Sequence, residues 1–261
     1  MPNYRKQILE ELRRIEIEEH VRILYACESG SRAWGFPSQD SDYDVRFIYI
    51  RPVEWYLSLY EKRDVIERPI NNLLDINGWD LQKALKLFAK SNPPLLEWLQ
   101  SPILYQENYS ITEQIRAFSA DTFSPRACCY HYLHMAKGNF RQYLQGEQVK
   151  LKKYFYVLRP LLACQWIEKY NTMPPMEFQQ LVDMLVPKGS DLDKQIQDLL
   201  RRKMAGDELD MELRIQSIHN FIEAQIQHYE QSAASFPSAE MTDQQEQLND
   251  LFLAALGEVW N

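Results

Sequence analysis

The sequence predicts an α+β protein: a small mixed sheet with helices over residues 1–106, followed by an all-helical domain over residues 107–261. Three observations carry this expectation. Short β-branched and aromatic runs, bounded by Gly, Ser, Asn and Pro, are confined to the first part of the chain. Helical periodicity is interleaved with them. Beyond residue 107 the strand signals fade, and apolar residues recur only at helical spacing.

In order, residues 3–19 read as a helix with Ile8, Leu12, Ile15 and Glu19 on one side. "VRILYA" (21–26) is a strand, and "ESGSRAWGFPSQDS" is a loop punctuated by Gly, Ser and Pro. "DYDVRFIYI" (42–50) is the second strand, and Pro52 opens a short helix through "VEWYLSLY". "DVIERPI" (64–70) reads as an edge segment because Pro69 cannot donate to a ladder. "NNLLDI" (71–76) is a third strand, and "WDLQKALKLFAK" is a helix with Leu81, Ala84, Leu85 and Phe88 on one face. Asn92-Pro93-Pro94 stops it and starts another short helix. Helical patterns follow near 109–118, 124–145, 149–170, 176–185, 190–205, 210–234 and 242–257, with "SAASFPSAEMT" as a linker before the last. Pro160 should kink or interrupt its helix.

Net charge is −8, which argues against broad nonspecific nucleic-acid binding. The charge is uneven. Lys137, Arg141, Lys150, Lys152, Lys153 and Arg159 face a single intervening acid, Glu147, whereas no Lys or Arg follows Arg214. No apolar stretch approaches the ~20 residues of a membrane helix. The N-terminal segment is charged throughout and is no signal peptide, so the expected location is the cytoplasm. The four cysteines form no CxxC pair and no disulfide framework. Cys128, His131 and His134 recur at helical spacing. Without the ligand spacings of a structural zinc site they read as a plain helix face.

The chemistry concentrates in residues 28–76. Asp42 and Asp44 are two apart in a strand and project to one face, about 6–7 Å apart. Carboxylates that close repel unless cations stand between them. Magnesium takes a few carboxylates plus substrate phosphates, and two such ions can clamp the attacking and leaving oxygens of a phosphoryl displacement. Asp75, apolar-flanked in the third strand, suits the role of third acid. Asp80 is its rival, but its place before "LQKAL" suits a helix N-cap. Gly30-Ser31 allows close backbone approach to a phosphate and offers a hydroxyl. Arg32 could pair with a phosphate in bidentate fashion. Arg46 shares the face of Asp42 and Asp44 and could instead neutralise them.

Gly30-Ser31, Asp42-x-Asp44 and Leu74-Asp75-Ile76 resemble the hG[GS]…DxD…h[DE]h signature of the DNA polymerase β-like nucleotidyltransferase superfamily. The strings "GSRAWGFPSQDSDYDVRFIY", "DINGWDLQKAL", "NPPLLEWLQSPILY" and "KKYFYVLRPLLA" are similar to its bacterial and phage branch associated with RNA repair. The resemblance implies a mixed sheet with helices on one side, two Mg²⁺ (or Mn²⁺) ions and an NTP substrate. It implies that Gly30 and Ser31 hold the triphosphate and that Asp42, Asp44 and Asp75 serve the metals. Asp75 would also help activate the acceptor hydroxyl. The expected reaction moves an NMP from an NTP to an acceptor, an RNA end first, with a protein side chain or small molecule as the alternative. A catalytically silent nucleotide-binding module on the same fold is the rival reading, and three converging carboxylates argue against it.

In the second half, Lys152, Tyr156 and Arg159 fall at i, i+4 and i+7 of the expected helix 149–170, opposite Leu151, Phe155, Leu158 and Leu162. That face suits contact with the triphosphate or an acceptor phosphate, and base stacking. The alternative is a solvated face whose lysines snorkel.

Overall fold

The computed structural model describes residues 4–69, 73–238 and 244–261. In chain order the elements are α1 (Tyr4–Glu19), β1 (Arg22–Glu28), α2 (Gly30–Ala33), β2 (Tyr43–Ile50), α3 (Val53–Tyr56), β3 (Val65–Glu67), β4 (Leu74–Asp80), α4 (Leu81–Phe88), α5 (Pro93–Leu99), β5 (Leu104–Glu107) and α6 (Ile111–Thr122). There follow α7 (Pro125–Tyr143), β6 (Gln148–Lys150), a 3₁₀ turn (Leu151–Tyr154), α8 (Phe155–Tyr170), α9 (Phe178–Leu185), α10 (Asp191–Ala205), β7 (Met211–Leu213), α11 (Gln216–Ser232), a 3₁₀ turn (Ala233–Ser235) and α12 (Gln244–Trp260). Asn3, Ile70, the expected strand start at Asn71-Asn72 and the linker residues 239–242 lie outside the described residues.

Two compact units result, and neither is continuous in sequence. One comprises Met1–Ala33, Asp42–Thr122 and Glu240–Asn261; the other comprises Trp34–Ser41 and Phe123–Ala239. The single cut expected at residue 106 is therefore replaced by four crossings. Helical periodicity shows that a segment hides one face; it does not show which partner hides it.

The first unit holds a five-stranded sheet in the order β3-β4-β2-β1-β5, mixed because β2 and β4 run parallel while the other pairs are antiparallel. Ile8, Leu12 and Ile15 of α1 pack on the face that carries Val45, Phe47 and Tyr49. Residues on β2 alternate between faces, so Asp44, Arg46 and Ile48 look the other way, in register with Asp75, Asn77 and Trp79 of β4. Trp79 packs on Trp98 of α5 (3.9 Å between ring centroids), and the Tyr25 hydroxyl donates to the Trp98 carbonyl (2.5 Å). Helices therefore cover both faces, where the resemblance implied one. β3 is the edge, ending before Pro69. β5 escapes sequence reading because four residues, two of them polar, carry too short a pattern.

Asp80 is the N-cap of α4: one carboxylate oxygen accepts from Gln82 N–H (2.8 Å) and the other from the Tyr56 hydroxyl (2.8 Å). Asp80→Ala should cost about 2–3 kcal/mol, the sum of a lost cap and a buried hydroxyl without its acceptor. Burial pushes the Asp80 carboxyl up to about 6, against the pull of Tyr56, Gln82 N–H and Arg51 and with the push of Asp64. The protonated form is thus favoured by folding. That advantage is complete below the ordinary value of 3.8 and is lost as pH rises through about 6. Asp80→Asn retains a capping oxygen and does not titrate, so it should gain on wild type between about pH 4 and 7. Calorimetric melts of both variants across that range check this; equal melts for Ala and Asn would show that the cap contributes nothing.

In the second unit α7 and α8 pack together, with α9 and α11 against α8 and α10 against α11. The half is not wholly helical: β6 and β7 pair antiparallel, Gln148 opposite Leu213. α8 runs through Pro160 without interruption, giving up the hydrogen bond that residue 160 would otherwise donate to the Tyr156 carbonyl. Cys128, Cys129 and Cys164 are buried thiols. Among the described residues no helix is long and apolar enough to cross a membrane.

Candidate active site

The site lies where β1 ends and β2 and β4 begin. β1 finishes with Glu28, a carboxylate at the end of an apolar run, and the side chain is fully buried. One Glu28 oxygen accepts from Asp44 N–H (2.7 Å) and the other from the Tyr105 hydroxyl of β5. Burial pushes the Glu28 carboxyl up to about 7, although both hydrogen bonds act against the rise. Ser29 N–H donates to the Asp44 carbonyl (2.8 Å). Glu28 thus ties the backbone of Asp44 to three strands. Sequence reasoning missed it, and the available signal was a charge closing an otherwise apolar strand.

Gly30 follows with φ +58°, and a Cβ there would stand 1.9 Å from Asp44 Oδ2. The glycine is therefore demanded by the aspartate as well as by any phosphate. Ser31, beside it, is half-buried in α2. Arg32 Nε donates to the Asp42 carbonyl (3.1 Å), and its guanidinium lies 3.7 Å from the centroid of Tyr43. Asp42 is exposed and just precedes β2, which starts at Tyr43.

Asp44 and Asp75 are register neighbours on β2 and β4, about 4.8 Å apart at the backbone. Arg46 joins them. Its Nη2 donates to Asp44 Oδ1 (3.1 Å) and to Asp75 Oδ2 (2.7 Å), while Nη1 donates to the carbonyls of Val45 (3.0 Å) and Asp75 (2.9 Å). The Asp44 carboxyl is held above its ordinary value, first by burial and then by the charges of Asp75 and Asp42, with Arg46 opposing. Three carboxylates beside one shared guanidinium leave an excess of negative charge, and Asp42 and Asp44 are the residues that could hold a divalent cation. A closed cage is not present: among the described residues no group of three or more His, Cys, Asp or Glu is arranged to hold a metal ion. Asp80 sits at the far end of β4, about 16 Å along the strand from Asp75, and belongs to the cap.

Lys152 and Arg159 lie in the second unit and do not share an exposed face. Lys152 is exposed on the 3₁₀ turn. Arg159 is 1 % exposed; its Nε and Nη2 donate to the Met176 carbonyl (both 3.3 Å), and its guanidinium packs against Trp34 (4.8 Å). The expected i, i+7 phase fails because three residues per turn precede α8. Arg159 is committed to internal partners, which corrects its reading as a phosphate contact.

A family model described as the RNA repair pathway DNA polymerase beta family (RlaP) matches residues 4–254, nearly the whole chain. The chain belongs to this family. Another similar protein is the uncharacterized protein YcgL of Bacillus subtilis, 55% identical over 256 residues, which span 98% of each chain. A solved nucleotidyltransferase-like protein from Exiguobacterium sibiricum aligns over 87% of this chain and 77% of its own, at 12% identity and a TM-score of 0.33. Membership in RlaP makes the protein DNA polymerase beta-like by family.

Proposed function

We propose that the protein transfers an NMP from an NTP to an acceptor hydroxyl, an RNA end in the first instance, releasing pyrophosphate and requiring Mg²⁺ or Mn²⁺. The observation that carries this reading is the register of Asp44 against Asp75, with Asp42 just before β2 and Gly30 against the Asp44 carboxylate. A bound cation would lower the pKa of the acceptor hydroxyl and absorb charge on the departing pyrophosphate. Asp42 and Asp44 would hold it. The Ser31 hydroxyl and the backbone N–H groups of the Gly30-Ser31 turn would receive the triphosphate. Asp75, fixed by Arg46, would accept a hydrogen bond from the acceptor hydroxyl and orient it for in-line attack. The protein's contribution is positioning and electrostatics, as in phosphoryl transfer generally. The family's RNA-repair description supports RNA as acceptor.

The test is incubation of the full chain with each α-labelled NTP, Mg²⁺ or Mn²⁺, and RNA, protein or small-molecule acceptors. Label should pass to RNA bearing a free 3′ hydroxyl, with stoichiometric pyrophosphate. Label on protein or a small molecule would keep the reaction and replace the acceptor. Binding of NTP without pyrophosphate release under any condition would overturn the reading in favour of a silent nucleotide-binding module.

A further inference from the structure

We infer that Arg46 takes the place of one of the two metal ions, so that the site works with a single divalent cation. The inference rests on the nucleotidyl-transfer reading of Asp42, Asp44 and Asp75, and it departs from the pair of ions which that reading first implies.

The argument is one of occupied ligands. A second ion would have to bridge Asp44 and Asp75, the two carboxylates in register on adjacent parallel strands. Arg46 Nη2 already bridges them through Asp44 Oδ1 and Asp75 Oδ2. The remaining Asp44 oxygen, Oδ2, is turned toward Gly30, whose absent side chain makes room for it. The guanidinium is also anchored where no ion competes. Nη1 is held by the main-chain carbonyls of Val45 and Asp75, which are parts of strands β2 and β4. Displacing Arg46 would cost charge-assisted bonds and leave those carbonyls without a side-chain donor. Arg46 is largely screened from solvent, its side chain 18% exposed, so its charge acts where screening is weak.

The sequence placed this charge deliberately with respect to the pleat. Asp44 and Arg46 are two apart in β2, so the guanidinium lies on the face of that acid and of its register partner Asp75. With Arg46 spanning Asp44 and Asp75, the place left for a divalent ion is at Asp42 and Asp44. Asp42 is exposed and offers its carboxylate to that ion. Asp75 then serves as a positioned acceptor of the hydroxyl proton's hydrogen bond, held by Arg46, instead of as a metal ligand.

The experiment counts ions without reading activity. Mn²⁺ is titrated into the full chain, alone and with the non-hydrolysable α,β-methylene ATP, and bound Mn²⁺ is followed by electron paramagnetic resonance and calorimetry. Wild type should bind one ion per chain with no spin coupling between ions. Arg46→Ala should bind two, with the coupling expected of ions about 3.5–4 Å apart. Arg46→Gln, which keeps a donor for the carbonyls without the charge, serves if the Ala variant does not fold, and should also bind two. Two coupled ions in wild type would overturn the inference while leaving nucleotidyl transfer standing, as would one ion in wild type and in both variants. No bound ion in wild type, with or without nucleotide, would overturn this inference and the metal-dependent reaction together.

Discussion

Asp44→Asn is expected to lower nucleotidyl transfer by about three orders of magnitude while leaving the melting temperature at or above that of wild type. The first half follows from charge. Asp44 is the acid closest to every other part of the site: its backbone is held by Glu28 and Ser29, its side chain by Arg46, and its free oxygen faces Gly30. Losing a ligand to the cation removes several kcal/mol of transition-state stabilisation, and each 1.36 kcal/mol is tenfold in rate, which gives about 10³. The second half follows from burial. Folding places the Asp44 charge in a poorly solvated position beside two other acids, with one shared guanidinium in compensation. The amide has nearly the same shape and no charge to desolvate. Initial rates of pyrophosphate release and thermal melts at neutral pH test both halves. A variant that keeps more than a tenth of the rate would remove Asp44 from the machinery. A large fall in melting temperature would mean that its charge stabilises the fold.

Phe36→Ala is expected to be the most damaging single truncation outside the site, at about 3–5 kcal/mol. Phe36 belongs to the segment between Ser31 and Asp42 that reads as a polar, punctuated loop, yet it is 3% exposed. Its ring stacks on Phe155 (4.7 Å between centroids) and meets Phe178 edge-on (5.6 Å). Phe178 N–H donates to the Trp34 carbonyl (2.9 Å), and Lys203 reaches Ser38 (3.0 Å), so the segment is fastened along its length within the second unit. Removing the ring leaves a cavity among aromatics that cannot easily collapse. At roughly 2–4 °C per kcal/mol for a chain of this size, the transition of that unit should fall by on the order of 10 °C. Phe36→Leu should recover about half. A shift of less than 2 °C for Phe36→Ala would mean that the ring is dispensable there.

The acids that define the candidate site were legible because strand alternation is a strict rule. Asp42 and Asp44 two apart, and Asp75 beside apolar neighbours, need only the pleat to share a face. Asp80 was legible for a similar reason, since a cap announces itself by its position before a helical run. Arg46 was half legible: alternation put it on the acids' face, but only the register of β2 against β4 shows that it bridges Asp44 to Asp75. Glu28, β5 and the β6–β7 pair depend on contacts between residues far apart in the chain, which no local pattern encodes. The face assigned to Lys152 and Arg159 failed at its premise, because a 3₁₀ turn precedes α8 and shifts the phase by which the two were aligned.

The last helix has a consequence for how the chain is made. α12 belongs to the unit that contains the sheet. There Phe252 packs edge-on against Tyr56, Glu258 takes both donors of Ser110, and Arg22 lies over Trp260. Leu248, Leu251, Phe252, Ala255 and Leu256 are buried in the finished protein. During synthesis the sheet emerges before α12, with the whole of α7 to α11 between them. At about 5–20 residues per second, the nascent sheet waits on the order of ten seconds with the flank that receives α12 uncovered. The sheet-bearing unit is therefore completed only after the whole of the other unit has been made. Over that interval the growing chain presents to solvent the apolar surface that α12 later covers.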